Sequence, residues 1–265
     1  MTSKLVAPKV ASKRTRAAHG AIRVGIGGWT FEPWRGVFYP KGLPHKRELE
    51  FASRALSSIE INGTFYSTFK QESWRKWHDE TPDDFLFSVK ASRYCTNRKV
   101  LAEAGPGIER FIAQGLTQLG AKLGPIVWQF AATKHFEDAD FEAFLALLPT
   151  HHDGIALQHA LDVRHPSFAT KAFYALAQKY GCAIVFATGK GVPEIDEATA
   201  PFTYARIMTS RDDLENGFAA DDIKAIAARA RIWRRRGNVF LYFISGAKIR
   251  DPAAAQALIA ALDEK

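Results

Sequence analysis

Residues 58–66 read Ser-Ile-Glu-Ile-Asn-Gly-Thr-Phe-Tyr, a short apolar run that ends in polar and aromatic side chains. An apolar run of this length, bounded by turn residues, is typical of a buried strand. Glu60 lies inside the run, and a buried carboxylate is costly unless it is paired or hydrogen-bonded. The stretch therefore predicts either an ion pair at a strand end or a pocket residue at the mouth of a sheet.

Short β-rich runs and longer amphipathic stretches alternate from residue 21 onward. Eight runs are predicted as strands: Ile22–Ile26, Ser57–Ile61, Phe85–Lys90, Pro125–Phe130, Ile155–Val163, Ala183–Ala187, Thr203–Met208 and Asn238–Ile244. Seven stretches are predicted as helices, at residues 45–56, 70–78, 106–120, 138–147, 169–180, 219–236 and 252–263. Alternating strands and helices form right-handed βαβ units around a parallel sheet. Eight such strands in about 245 residues fit a single TIM-type (β/α)₈ barrel over residues 21–265.

An open, doubly wound sheet is the alternative architecture. Its dinucleotide-binding version needs a Gly-x-Gly-x-x-Gly turn between the first strand and a helix. Glycines occupy positions 25, 27 and 28, but Trp29 and Pro33 follow and no third glycine opens a helix at the required offset. The sequence also lacks a low-complexity linker that would divide it into two domains, so the barrel is favoured.

The positive charge of the chain is concentrated at its beginning. The net charge is +8, and residues 1–20 carry five basic residues and no acid. We predict a disordered basic tail over residues 1–20, with an organellar transit segment as the alternative. A second basic cluster lies at residues 229–236, on a predicted helix end. Neither cluster is interleaved with aromatics, so the charge gives only weak support for a nucleic-acid partner.

Composition also bears on the compartment. No apolar run approaches the roughly 20 residues that cross a bilayer, and residues 1–20 lack the apolar segment of a secretory signal. The two cysteines, Cys95 and Cys182, form neither a disulfide framework nor a metal-ligand spacing. We therefore predict a soluble, cytoplasmic protein without a membrane partner, and leave its oligomeric state open.

Polar residues occur at nearly every predicted strand end. In TIM-type barrels, chemistry lies at the carboxyl ends of the strands. We predict that a charged ring lines a pocket there, formed by Glu60, Lys90, Asp162, Arg164 and Arg206. Two carboxylates and several cations suit an anionic or polyhydroxylated ligand. An inert network of salt bridges is the alternative interpretation of the same residues.

Further candidates surround this ring. Trp29 and Tyr66 are predicted to form an aromatic wall, although a packed lid explains them equally well. His165 follows Asp162 and Arg164 closely and is the best histidine candidate. No cofactor is predicted, because the histidines and carboxylates lack the spacing of a zinc or iron site, but a divalent metal held by residues from several strands stays open.

Several motifs together resemble one family. They are Gly27-Gly28-Trp29, Trp34-x-Gly36-x-Phe38-Tyr39-Pro40, Glu60-Ile61-Asn62-x-Thr64-Phe65-Tyr66, Thr81-Pro82, Phe85-x-Phe87-Ser88-Val89-Lys90-Ala91, Leu119-Gly120-x-Lys122-Leu123-Gly124-Pro125, Gln129-Phe130 and 159–168. In order and spacing they are similar to the domain of unknown function 72, the YecE-like family, from about residue 21 to the C-terminus. The resemblance implies a TIM-like barrel, and it implies no substrate, since the reaction of the family is not established.

The sequence departs from the family pattern mainly in its second half. Asn97 and Met208 stand where the family has histidines, and Thr188 stands where it has an aspartate. The eighth strand ends in Ile244-Ser245-Gly246 instead of Asp/Asn-Asn-Asp, while Lys248 is retained. Groups able to transfer protons near neutral pH are therefore lost from strands six to eight.

We predict a hydrolase- or lyase-type pocket for a small anionic or sugar-like ligand. In this hypothesis Glu60 or Asp162 is the general acid or base, and a desolvated Lys90 is a base or nucleophile. The predicted ligand-binding residues are Trp29, Asn62, Tyr66, Gln129, Arg164, His165, Arg206 and Lys248. Two alternatives are a nucleic-acid-binding or -processing protein and a non-catalytic ligand-binding barrel, the latter because of the departures in strands six to eight.

Overall fold

The structure is a computed structural model that describes residues 19–264. Nine of its strands form one parallel sheet: β1 (Ile22–Gly27), β2 (Ser58–Ile61), β3 (Leu86–Lys90), β4 (Leu123–Gln129), β7 (His159–Asp162), β8 (Ala183–Ile184), β9 (Phe186–Ala187), β10 (Phe202–Ile207) and β11 (Asn238–Phe243). Two more, β5 (His151–His152) and β6 (Ile155–Ala156), form a separate antiparallel hairpin. The predicted basic tail falls almost entirely outside the described residues.

The sheet closes into a barrel through the sixth predicted strand, Ala183–Ala187, which the structure divides into β8 and β9. We call this segment the sixth strand. The strand order is β8-β7-β4-β3-β2-β1-β11-β10-β9, and every neighbouring pair is parallel. β8 pairs with β7, and β9 pairs with β10. Because β8 and β9 are consecutive pieces of one segment, separated only by Val185, the two ends of the sheet are joined by the chain itself. This arrangement is the predicted TIM-type barrel.

Helices surround the barrel. In the described residues they are α1 (Glu48–Ala55), α2 (Gln71–Glu80), α3 (Arg93–Thr96), α4 (Gly105–Ile112), α5 (Asp138–Ala146), α6 (Lys171–Lys179), α7 (Ala220–Trp233) and α8 (Asp251–Asp263). Pro106 and Pro252 lie in the first turns of α4 and α8, where a missing N–H costs nothing. None of the described helices combines the length and the apolar character needed to span a membrane.

Two predicted elements are much shorter than expected. The fifth strand was expected over 155–163, but the barrel strand is only His159–Asp162, because Ile155–Ala156 turns back on His151–His152. Asp153 adopts a positive φ of 48° in that hairpin turn, and Gly154 one of 77°. The helix expected over 106–120 ends at Ile112. Gly115, with φ 107°, then starts a separate 3-10 segment, Leu116–Lys122.

The core has two layers. A large apolar cluster fills the space between the barrel and its helices, and a smaller cluster lies inside the barrel, where it includes Phe202, Tyr204, Phe240 and Tyr242. Gly25 makes room for this interior, since a Cβ there would lie 2.0 Å from Ser58 O and 3.2 Å from Tyr242 Cε1. The interior is thus apolar toward the amino ends of the strands and increasingly polar toward their carboxyl ends.

Candidate functional site

Strand geometry places the candidate residues inside the barrel in layers. Side chains two positions apart share a face of a strand, so Tyr204 accompanies Arg206 into the interior. The same spacing joins Ser58 to Glu60 and Ser88 to Lys90. The Ser88 hydroxyl lies 2.7 Å from the Tyr204 hydroxyl, and the Ser58 hydroxyl lies 2.7 Å from that of Tyr242. A layer of paired hydroxyl groups therefore supports the charged residues.

Arg206 is the centre of the charged layer. Its side chain is 1% exposed, and its Nε donates to Glu60 Oε2 at 2.9 Å, while Nη2 donates to Glu60 Oε1. Nη1 donates to Gln129 Oε1 at 2.7 Å and to Asp162 Oδ2. The Tyr204 hydroxyl donates to Glu60 Oε2 at 2.6 Å. One guanidinium thus ties together side chains from β2, β4 and β10 and the end of β7.

A second arginine completes the pairing of Asp162. Arg164 donates from Nε to Oδ1 at 2.7 Å and from Nη2 to Oδ2 at 2.6 Å, the two-pronged geometry in which guanidinium and carboxylate fit best. Burial alone would raise the pKa of Asp162, but Arg206 and Arg164 together hold it below its usual value. We call Glu60, Asp162, Arg164 and Arg206 the charge network.

Lys90 lies beside the charge network and is 9% exposed. Its Nζ is 4.1 Å from the centre of the Phe65 ring and makes no hydrogen bond to any residue in the described range 19–264. Burial lowers the pKa of Lys90 from its usual 10.5 to about 8. Arg206 adds to this effect, and the carboxylates of Glu60 and Asp162 oppose it. Lys90 is therefore an amine that loses its proton unusually easily.

Three predicted ligand-binding residues line a neighbouring cavity. Trp29, Asn62 and Lys248 border a space of about 290 Å³ at the carboxyl ends of β1 and β2. Trp29 packs edge-on against Trp77, with ring centres 5.2 Å apart. Burial lowers the pKa of Lys248, whose Nζ lies 4.5 Å from the Phe31 ring. None of the residues that border this cavity belongs to the charge network.

The remaining two predicted residues lie elsewhere. Tyr66 is 64% exposed and borders a different cleft from Trp29, so these two aromatics do not share one wall. The His165 ring packs at a tilt of 39° against the His135 ring with centres 3.8 Å apart, and its Nδ1 lies 2.8 Å from Ser167 Oγ. The Nδ1 of His165 also accepts a hydrogen bond from the Ser167 N–H, so His165 stabilises the loop after β7.

Sequence reasoning missed the hydroxyl layer and one sulfur contact. Ser58, Ser88 and Tyr204 each stand two residues before a charged candidate, so strand periodicity was the available signal. Met208 Sδ accepts from Arg164 Nη1 at 3.4 Å, and no pattern in one sequence predicts such a contact. Within residues 19–264, no group of three or more His, Cys, Asp and Glu side chains is arranged to hold a metal ion.

A family model described as "Protein of unknown function DUF72" matches residues 23–265. The chain belongs to the DUF72 family. Among curated proteins, it is 26% identical over 153 residues to the UPF0759 protein YecE of Escherichia coli K12. That alignment covers 57% of this chain and 51% of YecE, so the match spans about half the length of this curated relative.

Solved DUF72 structures share the barrel. A DUF72 protein of Thermotoga maritima, TM1631, superposes with a TM-score of 0.72 at 22% identity, covering 90% of this chain and 97% of the other. EF0366 of Enterococcus faecalis V583 gives 0.68 at 15% identity, with 93% and 99% covered. At these identities the likeness establishes the fold alone. The family and the predicted barrel are thus both confirmed.

Proposed function

We propose that the carboxyl end of the barrel binds a small anionic, sugar-like carbonyl compound and performs lyase-type chemistry on it with the Lys90 amine. The observation that carries the proposal is the position of Lys90 Nζ, which lies beside the charge network without a hydrogen-bond partner among residues 19–264. An amine in such a place can act as a base or as a nucleophile toward a carbonyl carbon.

The two carboxylates are poorly placed for proton transfer. Both oxygens of Glu60 accept from Arg206, and one also accepts from Tyr204. Both oxygens of Asp162 accept from arginines. The oxygens of both carboxylates are therefore already occupied by donors of the protein, and the two arginines hold the pKa of Asp162 below its usual value, which makes Asp162 a weak base. This favours a lyase over a hydrolase and gives Glu60 and Asp162 the task of holding Arg206 and Arg164 in place.

The same network favours an anionic ligand. In the roughly three quarters of the molecules in which Lys90 is protonated at pH 7.5, two arginines and Lys90 face two carboxylates, which leaves one positive charge to attract the ligand; the remaining quarter supplies the neutral amine. Arg164 is the residue best placed to bind the ligand anion, because its side chain is 17% exposed and, among residues 19–264, its Nη1 donates only to a thioether sulfur. A thioether is a weak acceptor, so a ligand carboxylate or phosphate that replaced it would form a stronger hydrogen bond with Arg164.

The chemistry follows from a neutral Lys90. Its nitrogen lone pair attacks the carbonyl carbon, and one proton of that nitrogen passes to the carbonyl oxygen to give a neutral carbinolamine. Uptake of one proton from solvent and loss of water leave an iminium ion. The iminium accepts the electron pair of the bond between the α and β carbons, while the β fragment leaves as an aldehyde and its hydroxyl proton passes to solvent. Protonation of the resulting enamine at carbon and hydrolysis by water release the product and the free Lys90 amine. With a pKa of about 8, about a quarter of the Lys90 side chains are neutral at pH 7.5, compared with roughly one in a thousand for an ordinary lysine.

Trapping of the iminium tests the proposal. The full chain is incubated with glyoxylate, a small anionic aldehyde, and cyanoborohydride, and the modified lysines are located by peptide mass spectrometry. We expect Lys90 to be modified at least about ten times faster than the exposed Lys171, and the Lys90→Arg variant to lose only that modification. Equal modification of the two lysines would refute the role of Lys90.

A non-catalytic binding barrel is the second candidate, and specific contacts favour it. Met208 directly follows β10 and contacts Arg164, Ile244 directly follows β11, both pack against the apolar cluster inside the barrel, and neither side chain can transfer a proton. In that case glyoxylate binding, measured by calorimetry, would depend on Arg164 while Lys90 would resist trapping. The two measurements therefore separate a reactive pocket from one that only binds.

A further inference from the structure

A second cleft, of about 520 Å³, lies beside the loops that follow β2 and β3. Its wall begins at Thr64, whose hydroxyl donates to the backbone oxygen of Lys90 at 2.6 Å. From there the cleft extends outward to the start of α4 and away from the charge network. Its bordering residues include two tyrosines, two arginines and several hydroxyl groups, but no acid. We call it the tyrosine–arginine cleft.

The arginines of this cleft have no carboxylate partner within residues 19–264. Arg98 donates from Nε to the backbone oxygen of Tyr94 at 2.7 Å, which fixes its guanidinium near the first turn of α4 and leaves its other N–H groups available. Arg110, one α4 turn further on, takes part in no salt bridge among the described residues, and neither does Arg93 at the rim. Three guanidinium groups without acids in one place attract an anion.

The aromatics of the cleft are unusually exposed. Tyr66 is 64% exposed and Tyr94 is 63% exposed, and they are the only aromatic side chains among the large exposed hydrophobic residues of the described chain. The Arg93 guanidinium lies between them, 5.9 Å from the Tyr66 ring and 5.5 Å from the Tyr94 ring. Exposed rings beside arginines form a surface on which a planar base can stack.

We propose that the tyrosine–arginine cleft binds a nucleotide unit, with the base against Tyr66 or Tyr94 and the phosphate on Arg98 and Arg110. The volume is that of a small-molecule site. The combination of a flat apolar surface with unpaired guanidinium groups matches a ligand that has a ring at one end and a phosphate at the other. The same chemistry occurs in a free nucleotide and in one residue of a single strand, and the experiment distinguishes these sources.

Binding is measured on the full chain at two salt concentrations, with two probes. Calorimetry follows adenosine 5′-monophosphate, and fluorescence anisotropy follows a labelled short oligothymidylate. We expect the double variant Arg98→Gln/Arg110→Gln to weaken binding by about 10- to 100-fold, since two charge-assisted hydrogen bonds to phosphate are lost. Tyr94→Leu is expected to weaken it by roughly fivefold or more through loss of stacking, while Tyr94→Phe keeps the affinity.

The matched control is Arg235→Gln/Arg236→Gln, which removes the same charge at the end of α7, next to the amino end of β11. If this control weakens binding as much as Arg98→Gln/Arg110→Gln, the proposal is wrong and the affinity reflects net charge alone. If both probes bind, the cleft accepts a free nucleotide as well as one residue of a single-stranded nucleic acid. If only the oligothymidylate binds, the ligand is single-stranded nucleic acid. Failure of both probes, or equal affinity for inorganic phosphate, overturns the proposal.

Discussion

The Nε of Arg206 donates to Glu60 Oε2 at 2.9 Å, joining two fully buried residues that are 146 positions apart in the chain. Glu60 is the next-to-last residue of β2 and Arg206 the next-to-last residue of β10, so the bond crosses the interior of the barrel. Asp162 holds the same guanidinium from a third direction. A buried ion pair repays its desolvation only when its hydrogen bonds are complete, and here both carboxylate oxygens of Glu60 are occupied.

Replacing Glu60 with Gln should strongly destabilise the protein. The amide keeps the shape of the side chain but leaves Arg206, Arg164 and a protonated Lys90 facing a single carboxylate. Breaking a buried pair from one side typically costs about 3–5 kcal/mol. Urea denaturation of Glu60→Gln and the wild type at pH 7 measures the difference.

The control for this variant is Glu50→Gln, which removes an equally charged partner of an arginine at the surface. Solvent screens exposed pairs, so this variant should unfold almost as the wild type does. If Glu60→Gln also costs less than about 1 kcal/mol, the stability of the fold does not depend on the ion pair between Glu60 and Arg206.

The Lys90→Met variant should show a pH-dependent gain in stability. Folding lowers the pKa of Lys90 from 10.5 to about 8, so between these values the unfolded chain binds more protons and wild-type stability rises with pH. The advantage of Lys90→Met over the wild type should therefore be largest below pH 8 and shrink by up to about 3 kcal/mol by pH 10.5. Denaturation at pH 7 and pH 10 tests this, with the exposed Lys171→Met as control; a constant difference would contradict it.

Asp251 gives a pH dependence of opposite sign. Burial raises its pKa from 3.8 to about 6, although Ser245 donates to it from both its N–H and its hydroxyl. The folded protein then holds a proton that the unfolded chain has lost, so stability falls as pH rises from about 4 to about 6. Asp251→Asn should gain up to about 3 kcal/mol relative to the wild type between pH 4 and pH 7. The exposed Asp221→Asn is the control, and thermal unfolding across this range is the measurement.

Gly25→Ala should destabilise the barrel by about 3 kcal/mol or more, because the added methyl group would overlap Ser58 O and press on the Tyr242 ring. Gly246→Ala is the matched control, since a Cβ there meets no atom within 4 Å. Its stability should stay within about 0.5 kcal/mol of the wild type. Equal unfolding midpoints for the two variants would show that β1 can move away from β2 at little cost.

Local pattern was sufficient for the barrel and for most of the charge network. Hydrophobic runs at regular spacing predicted the strands, and a carboxylate or cation at the end of a strand predicted which side chains would meet. Glu60, Asp162, Arg164 and Arg206 meet because parallel strands bring all their carboxyl ends to one edge of the sheet. Arg206 can bind both carboxylates because the arginine side chain is long enough to carry its guanidinium group across a narrow barrel.

Contacts between distant loops could not be predicted in this way. Tyr66 follows Glu60 by six residues, yet it lies at the surface because the 3-10 turn Gly63–Phe65 redirects the chain. His165 follows Asp162 by three residues, but Pro166 turns the chain and the ring packs against His135. The direction of a side chain after a strand ends depends on the loop, and loop geometry follows from tertiary packing rather than from a periodic pattern.

The division of the sixth strand gives one bond of the charge network a mechanical role. β7, which carries Asp162, and β10, which carries Arg206, are the two neighbours of this strand, and each pairs with only one of its two-residue halves. The bond between Arg206 and Asp162 spans this gap from inside the barrel. Widening the barrel at the sixth strand requires breaking the bond between Arg206 and Asp162. A ligand that competes for either residue would therefore weaken the barrel wall at the place where the strands share the fewest paired residues.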